Sequence, residues 1–164
     1  MTRRNFMLLA LLLGTGRIFG STGRVAQWQV ISVVMEHLFP RTSKFSGARV
    51  WGVLRFLKQT SENSLFDRED LELLHNGAKE LLRIEKDFVS LSVSKKEKVL
   101  RRFEENDFGQ RWLSTLIYYG LEAVLGDPIY AGNVDGRGWN EFGHRAGMPR
   151  PKVRYGKTYG GAHV

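Results

Sequence analysis

The chain has 164 residues, of which 42% are hydrophobic, 26% charged and 12% aromatic, a composition typical of one globular domain and not of a disordered or polytopic membrane protein. It has no cysteine, which excludes disulfides, thiolate metal sites, covalent haem attachment and cysteine catalysis. The net charge of +8 lies mainly at the two ends of the chain, because residues 1–23 hold three arginines and no acid and residues 126–164 are also basic. A basic tail is compatible with nucleic acid, anionic lipid head groups or an acidic protein surface, or with simple solvation.

The first 23 residues predict a signal for export by the twin-arginine route. Arg3 and Arg4 precede an apolar run from Phe6 to Leu13, which is shorter than the roughly 20 residues that span a bilayer but has the length of a signal-peptide core. The string TRRNFM at residues 2–7 matches the twin-arginine pattern, in which a receptor grips two planar, permanently charged guanidinium groups. The alternative is a basic start before a buried helix. The signal predicts a protein of the periplasm.

Residues 24–125 predict a helical domain, so the expected fold class is all-α, a small bundle of about five helices. The first helix runs from Val25 to Phe39 and stops at Pro40. The second has one apolar face, made by Val50, Trp51, Leu54 and Leu57. No convincing strand alternation and no internal repeat occurs.

The remaining three helices carry start signals or a strong apolar face. Asp67 is an expected N-cap of the third helix, and Ser94 with Glu97 forms an expected capping box for the fourth. The fifth helix is the most apolar and is expected at the centre of the core. Its predicted face consists of Trp112, Leu116, Tyr119 and Ala123, widened by Leu113, Ile117, Leu121 and Val124.

Residues 126–164 predict an irregular tail rich in glycine and aromatic residues. Glycine at this density disfavours regular elements, whereas disordered linkers seldom carry as many aromatic residues as this tail. We therefore expect the tail to pack its aromatic rings on the helical domain or on another subunit.

No combination of residues in the chain predicts a catalytic, cofactor or metal site. His37, His75, His144 and His163 lack the spacing of metal ligands. No phosphate-binding loop, dinucleotide fingerprint or nucleophile–base pair is present, and the stretch from Asn133 to Gly136 lacks the ligands that a calcium loop needs. Since the twin-arginine route carries folded proteins, often with their cofactor, we hypothesise that the folded cargo is a partner.

Several strings in the tail resemble the end of the gluconate 2-dehydrogenase subunit 3 family. They are GDPIYAGN at residues 126–133, DGRGW at 135–139, GH at 143–144 and GMPRP at 147–151. Upstream, LFPRT at residues 38–42 and SGA at 46–48 resemble another segment of that family, with Ser46 where a proline is common. The resemblance covers roughly residues 28–151.

This resemblance implies a membrane-associated, periplasm-facing complex of three kinds of subunit. An FAD-bearing large subunit would oxidise a sugar, sugar acid or polyol, and a multihaem cytochrome c would accept the electrons. The small subunit, which this chain resembles, would carry the signal for the twin-arginine translocase and stabilise the flavoprotein, with no cofactor of its own. The resemblance does not indicate which substrate the complex would oxidise.

The tail residues that carry the resemblance are expected to be structural or to contact the partner. They are Asp127, Pro128, Tyr130, Gly132, Asn133, Gly136, Gly138, Trp139, His144 and Pro149. Packing of Trp139 on the chain's own core and packing on a partner remain open, and the two are compatible.

Two other hypotheses follow from the residues. One is an independent exported enzyme with a site around Asp127, Asn133, Asp135 and His144. The other is a protein that binds an anionic surface through its basic tail, although an export signal argues against a nucleic-acid partner.

Overall fold

The structure, a computed structural model, describes residues 23–154, and α-helices with short turns account for the regular structure of this part of the chain. The seven α-helices are α1 (residues 23–38), α2 (Ala48–Trp51), α3 (Val53–Ser61), α4 (Arg68–Ile84), α5 (Val93–Glu104), α6 (Asp107–Leu125) and α7 (Arg137–Phe142). Three 3-10 turns accompany them, at Phe88–Ser90, Pro128–Tyr130 and Val134–Gly136. No strand occurs among the described residues, which confirms the all-α prediction, with seven helices in place of about five.

Helix α6 lies at the centre of the core, as predicted, and packs against α3, α4, α5 and α7. Trp112 is fully buried, and its indole N–H donates to the carbonyl oxygen of Leu74 in α4, 3.1 Å away. The predicted widening of the apolar face was wrong in part. Leu113 and Val124 are buried, but Ile117 and Leu121 remain 41% and 43% exposed because they lie on the side of α6 that no other described helix covers.

The predicted second helix is divided into α2 and α3 at Gly52. Gly52 has φ 78°, and its nitrogen bonds back to the carbonyl oxygen of Arg49. A Cβ at this position would lie 3.1 Å from the carbonyl oxygen of Ala131 in the tail. The helix therefore breaks where the tail approaches it, which a local apolar pattern cannot reveal.

One of the two predicted helix starts was right. The Asp67 carboxylate accepts from the backbone nitrogens of Glu69 at 2.7 Å and Asp70 at 3.3 Å, which confirms it as the N-cap of α4.

The capping box at Ser94 does not form, because α5 begins two residues earlier than predicted, at Val93, and Ser92 occupies the N-cap position. The carboxylate of Glu97 instead bonds the imidazole of His37 in α1 at 2.6 Å, and a tertiary contact thus replaces the predicted local one.

The prediction of an irregular tail was wrong for residues 137–142, which form α7. Glycine makes this helix possible, since Gly136 and Gly143 flank it with φ 68° and 64°, a conformation that other residues adopt only at a cost. None of the helices within residues 23–154 is long and apolar enough to cross a membrane.

Candidate functional site

The C-terminal segment, residues 126–154, folds back onto the end of α6, and Asn133 is the residue around which it is organised. Asn133 is fully buried and has φ 44° and ψ 50°, in the left-handed region that asparagine tolerates better than most residues. Its Nδ2–H donates to the carbonyl oxygen of Gly126 at 2.8 Å. Its Oδ1 accepts from the backbone nitrogen of Gly138 at 2.8 Å, and so caps the first turn of α7, for which Gly136 has no side chain to offer.

Two glycines allow the backbone of this segment to approach α6 closely. A Cβ on Gly132 would lie 2.3 Å from the carbonyl oxygen of Ala123, and one on Gly138 would lie 2.1 Å from that of Val124. Both distances are far below van der Waals contact, so a side chain at either position would force the segment away from the helix.

Trp139 holds the segment to the last turn of α6. Its indole N–H donates to the carbonyl oxygen of Leu125 at 2.6 Å, and the guanidinium of Arg150 lies 4.7 Å from its ring centroid. Arg150 also donates to Asp127 Oδ2 at 2.5 Å, while Asp127 Oδ1 accepts from the nitrogen of Ile129 at 3.0 Å. The hydrogen bond from Arg150 is the main cause that holds the pKa of Asp127 below its usual range.

Glu141 joins α7 to the loop between α1 and α2. Its Oε2 accepts from the backbone nitrogen of Ser46 at 2.9 Å and from the indole N–H of Trp51 at 2.9 Å, and its Oε1 accepts from the Ser46 hydroxyl. Burial raises the pKa of Glu141, but hydrogen bonds from Ser46 and Trp51 outweigh this effect and leave the pKa below its ordinary value. Next to it, the Phe142 ring stacks on Phe45 with centroids 4.7 Å apart.

Pro128 and Tyr130 shape the turn that leads out of α6. Pro128 is the first residue of the 3-10 turn, for which Asp127 is the N-cap. Tyr130 is partly buried against the core. The following residue, Ala131, accepts a hydrogen bond from Arg55 Nε at 2.9 Å, which joins this turn to α3.

The structure places His144 and Pro149 at the exposed end of the segment. The backbone nitrogen of His144 donates to the carbonyl oxygen of Trp139 at 2.8 Å, and the two rings lie 6.3 Å apart. Pro149 follows a cis peptide bond after Met148 and is exposed. The ten predicted tail residues thus fall in one continuous segment, and the side chains of Asn133, Trp139 and Asp127 carry its internal contacts.

Sequence reasoning missed Glu141 and Arg55 as residues that position this segment. Glu141 carries no motif in the sequence, and its partners Ser46 and Trp51 lie 95 and 90 residues away. Arg55 reaches Ala131 over 76 residues. No local pattern marks either residue, because the partners come together only in the folded chain.

A groove opens beside this segment, and we call it the tyrosine groove. It encloses about 460 Å³ and is lined by the rings of Phe56, Phe66, Tyr118, Tyr119 and Tyr130 together with Leu65, Asp67 and Glu122. The Tyr118 hydroxyl donates to Glu122 at 3.0 Å, and the Tyr119 hydroxyl donates to Asp70 at 2.6 Å. The bond to Glu122 raises the pKa of Tyr118, and burial together with the bond to Asp70 raises that of Tyr119, so both hydroxyls remain protonated donors.

Among residues 23–154, no group of three or more histidine or acidic side chains is placed to hold a metal ion. His37 pairs with Glu97, and His75 packs edge-on against Trp28 at 5.2 Å. Burial, and then the nearby charge of Arg24, lowers the pKa of His75. His163 lies outside the described residues.

The targeting residues Arg3, Arg4 and Phe6 also lie outside the described residues, so the twin-arginine signal stays a prediction.

Comparison with known proteins agrees with the tail motifs. No curated protein and no solved structure shows a significant match to the chain. The model of the family described as gluconate 2-dehydrogenase subunit 3 matches residues 25–147, a range that takes in α1 from residue 25, helices α2 to α7, and the part of the C-terminal segment held by Asn133 and Trp139. Because this match covers most of the 164 residues, the chain belongs to the gluconate 2-dehydrogenase subunit 3 family.

Proposed function

We propose that this chain is the non-catalytic small subunit of a membrane-associated, periplasmic dehydrogenase complex, in which it escorts and stabilises an FAD-containing large subunit. The observation that carries the proposal is the family match over residues 25–147, because that family is named for one subunit of gluconate 2-dehydrogenase. In the proposed complex the large subunit oxidises a sugar or sugar acid, and a multihaem cytochrome c accepts the electrons. FAD and haem c belong to these partners, and this chain contributes no cofactor.

The escort role rests on the pattern of Arg3, Arg4 and Phe6. A twin-arginine signal on a small subunit lets a folded flavoprotein without a signal of its own pass through the translocase bound to it. The complex then stays in the periplasm at the cytoplasmic membrane.

The stabilising role is supported by the surface that α6 presents. Ile117, Tyr118 and Leu121 are large apolar or aromatic residues, Leu121 lies one helical turn after the other two, and all three are exposed. Aromatic and large apolar side chains are enriched at the buried centres of protein interfaces. A partner that covers this surface would remove apolar area from water and stabilise both chains.

Export of the flavoprotein tests the proposal. The full chain is co-expressed with the flavoprotein subunit of the proposed complex, and flavoprotein is measured in periplasmic and cytoplasmic fractions. Replacing Arg3 and Arg4 together by lysine keeps the charge but removes the paired guanidinium groups, and it should leave the flavoprotein in the cytoplasm. Arg17→Lys is the matched control, since it makes the same change outside the pair and should leave export intact. Normal export of the flavoprotein by the double-lysine variant would refute the escort role.

A further inference from the structure

The tyrosine groove is acidic, although the chain as a whole has a net charge of +8. Asp67 and Glu122 line it, and Asp70 lies behind Tyr119, whereas no lysine, arginine or histidine is among its lining residues. Two cations of the adjoining α3 are held elsewhere. Lys58 lies 5.6 Å from the ring centroid of Trp28, and Arg55 donates to the carbonyl oxygen of Ala131.

The same groove has an apolar edge open to solvent. Leu65 is 66% exposed and Tyr118 is 56% exposed, although both are large side chains that ordinarily lose water on folding. The apolar surface continues from Tyr118 along α6 to Ile117 and Leu121. Since neither Ile117 nor Leu121 lines the groove, and Leu121 lies about one helical turn beyond Ile117, the apolar surface extends outside the groove.

Hydrogen bonds orient both carboxylates that line the groove, Glu122 and Asp67, as well as Asp70 behind it; Asp67 accepts from backbone nitrogens as the N-cap of α4. The Tyr118 hydroxyl binds one oxygen of Glu122, and the Tyr119 hydroxyl binds one oxygen of Asp70. A carboxylate can accept several hydrogen bonds, and a guanidinium or ammonium group is the donor that complements its charge. Carboxylates held beside exposed apolar side chains thus match a cation that is adjacent to an apolar side chain.

We infer that the tyrosine groove docks a segment of the flavoprotein subunit in which a lysine or arginine stands beside a large apolar side chain. The inference rests on the proposed function and adds to it the place of contact and the chemistry of the partner segment. The cation lies against Glu122 and Asp67, and the apolar side chain packs on Leu65 and Tyr118.

Two variants of the full chain test the inference by affinity for the purified flavoprotein. Glu122→Lys places a like charge opposite the docked cation, and Leu65→Asp places a charge in the apolar edge. Each should weaken binding at least about tenfold at low salt. The matched controls make the same changes at exposed positions of α5 outside the groove: Glu104→Lys and Val93→Asp should bind within about twofold of the unaltered chain.

A measurement on the unaltered complex does not depend on any variant folding. Hydroxyl-radical oxidation of Leu65 and Tyr118 should fall by at least about threefold when the flavoprotein is bound, because oxidation follows side-chain exposure. Val93 should be oxidised equally in the free and bound chain.

The outcomes separate the inference from the proposed function. If the flavoprotein binds but the groove variants bind as tightly as their controls and Leu65 and Tyr118 stay oxidised, the inference is overturned while the proposed function stands. If the folded chain and the folded flavoprotein do not bind, both fail. If the chain forms a dimer that Glu122→Lys dissociates, a second copy occupies the groove and the inference is again overturned.

Discussion

Replacing Asn133 by alanine should destabilise the chain more than any ordinary change in its C-terminal segment. The substitution removes two hydrogen bonds of 2.8 Å, one donated by Asn133 Nδ2 to the carbonyl oxygen of Gly126 and one accepted by Asn133 Oδ1 from the nitrogen of Gly138. It also leaves a residue with a Cβ but no local hydrogen bond at φ 44°.

The expected size follows from these two effects. Each buried polar group left without its partner costs about 1–3 kcal/mol. The left-handed conformation costs alanine about 1–2 kcal/mol relative to the right-handed one. The free energy of unfolding should therefore fall by about 3–8 kcal/mol, a large part of the roughly 5–15 kcal/mol of a small domain.

Urea unfolding followed by far-ultraviolet circular dichroism measures this loss. Asn133→Gly is the informative comparison, because glycine removes both hydrogen bonds but adopts the left-handed conformation freely, so it should be about 1 kcal/mol more stable than the alanine variant. Asn140→Ala is the matched control: Asn140 is exposed in α7, and its loss should change stability by at most about 0.5 kcal/mol. The reasoning is refuted if Asn133→Ala is no more destabilising than Asn140→Ala.

Two further predictions concern the same segment. Gly138→Ala places a Cβ 2.1 Å from the carbonyl oxygen of Val124 and should lower the midpoint of thermal unfolding by several degrees. Gly147→Ala is the control, because no atom lies within 4 Å of the added Cβ, and it should leave the midpoint unchanged. Equal midpoints for the two variants would contradict the close approach of Gly138 to α6. The hydrogen bond from Arg150 lowers the pKa of Asp127 in the folded chain. The ionised carboxylate therefore stabilises the fold fully above the ordinary aspartate pKa of about 4, and this stabilisation is lost as the pH falls through the lower pKa of the folded state. Between about pH 6 and pH 3, Asp127→Asn should lose less stability than the unaltered chain in urea titrations, and parallel losses would show that this pair contributes nothing.

The sequence predicts the features of this fold that depend on neighbouring residues. Asp67 was predicted as an N-cap because an aspartate at this position can reach the backbone nitrogens two and three residues later. The structure contains both of these hydrogen bonds. The buried face of α6 was identified because Trp112 and Leu116 follow the helical period. The same rule failed at Ile117 and Leu121, since periodicity marks which residues are apolar and not which side of a helix the rest of the chain covers.

The missed features each join residues that are far apart in sequence. Ser94 and Glu97 have the spacing of a capping box, yet Glu97 bonds His37, 60 residues earlier. The break at Gly52 lies where Ala131, 79 residues later, approaches the helix.

In the candidate site, the tail residues were selected from a resemblance, whereas the bonds of Asn133 and Trp139 could be assigned only from the folded chain. Whether these residues also contact a partner stays a prediction.

The bond between Ser46 and Glu141 has a consequence for the timing of biosynthesis. The two residues are 95 positions apart, so at about 5–20 residues per second the ribosome needs roughly 5 to 20 s to supply the partner of Ser46 after Ser46 itself. Arg3 and Arg4, the predicted targeting residues, are made earlier still. If these arginines form the predicted export signal, a nascent chain displays that signal before it can complete its fold, and a cell that exports it folded must delay translocation until α7 has been made.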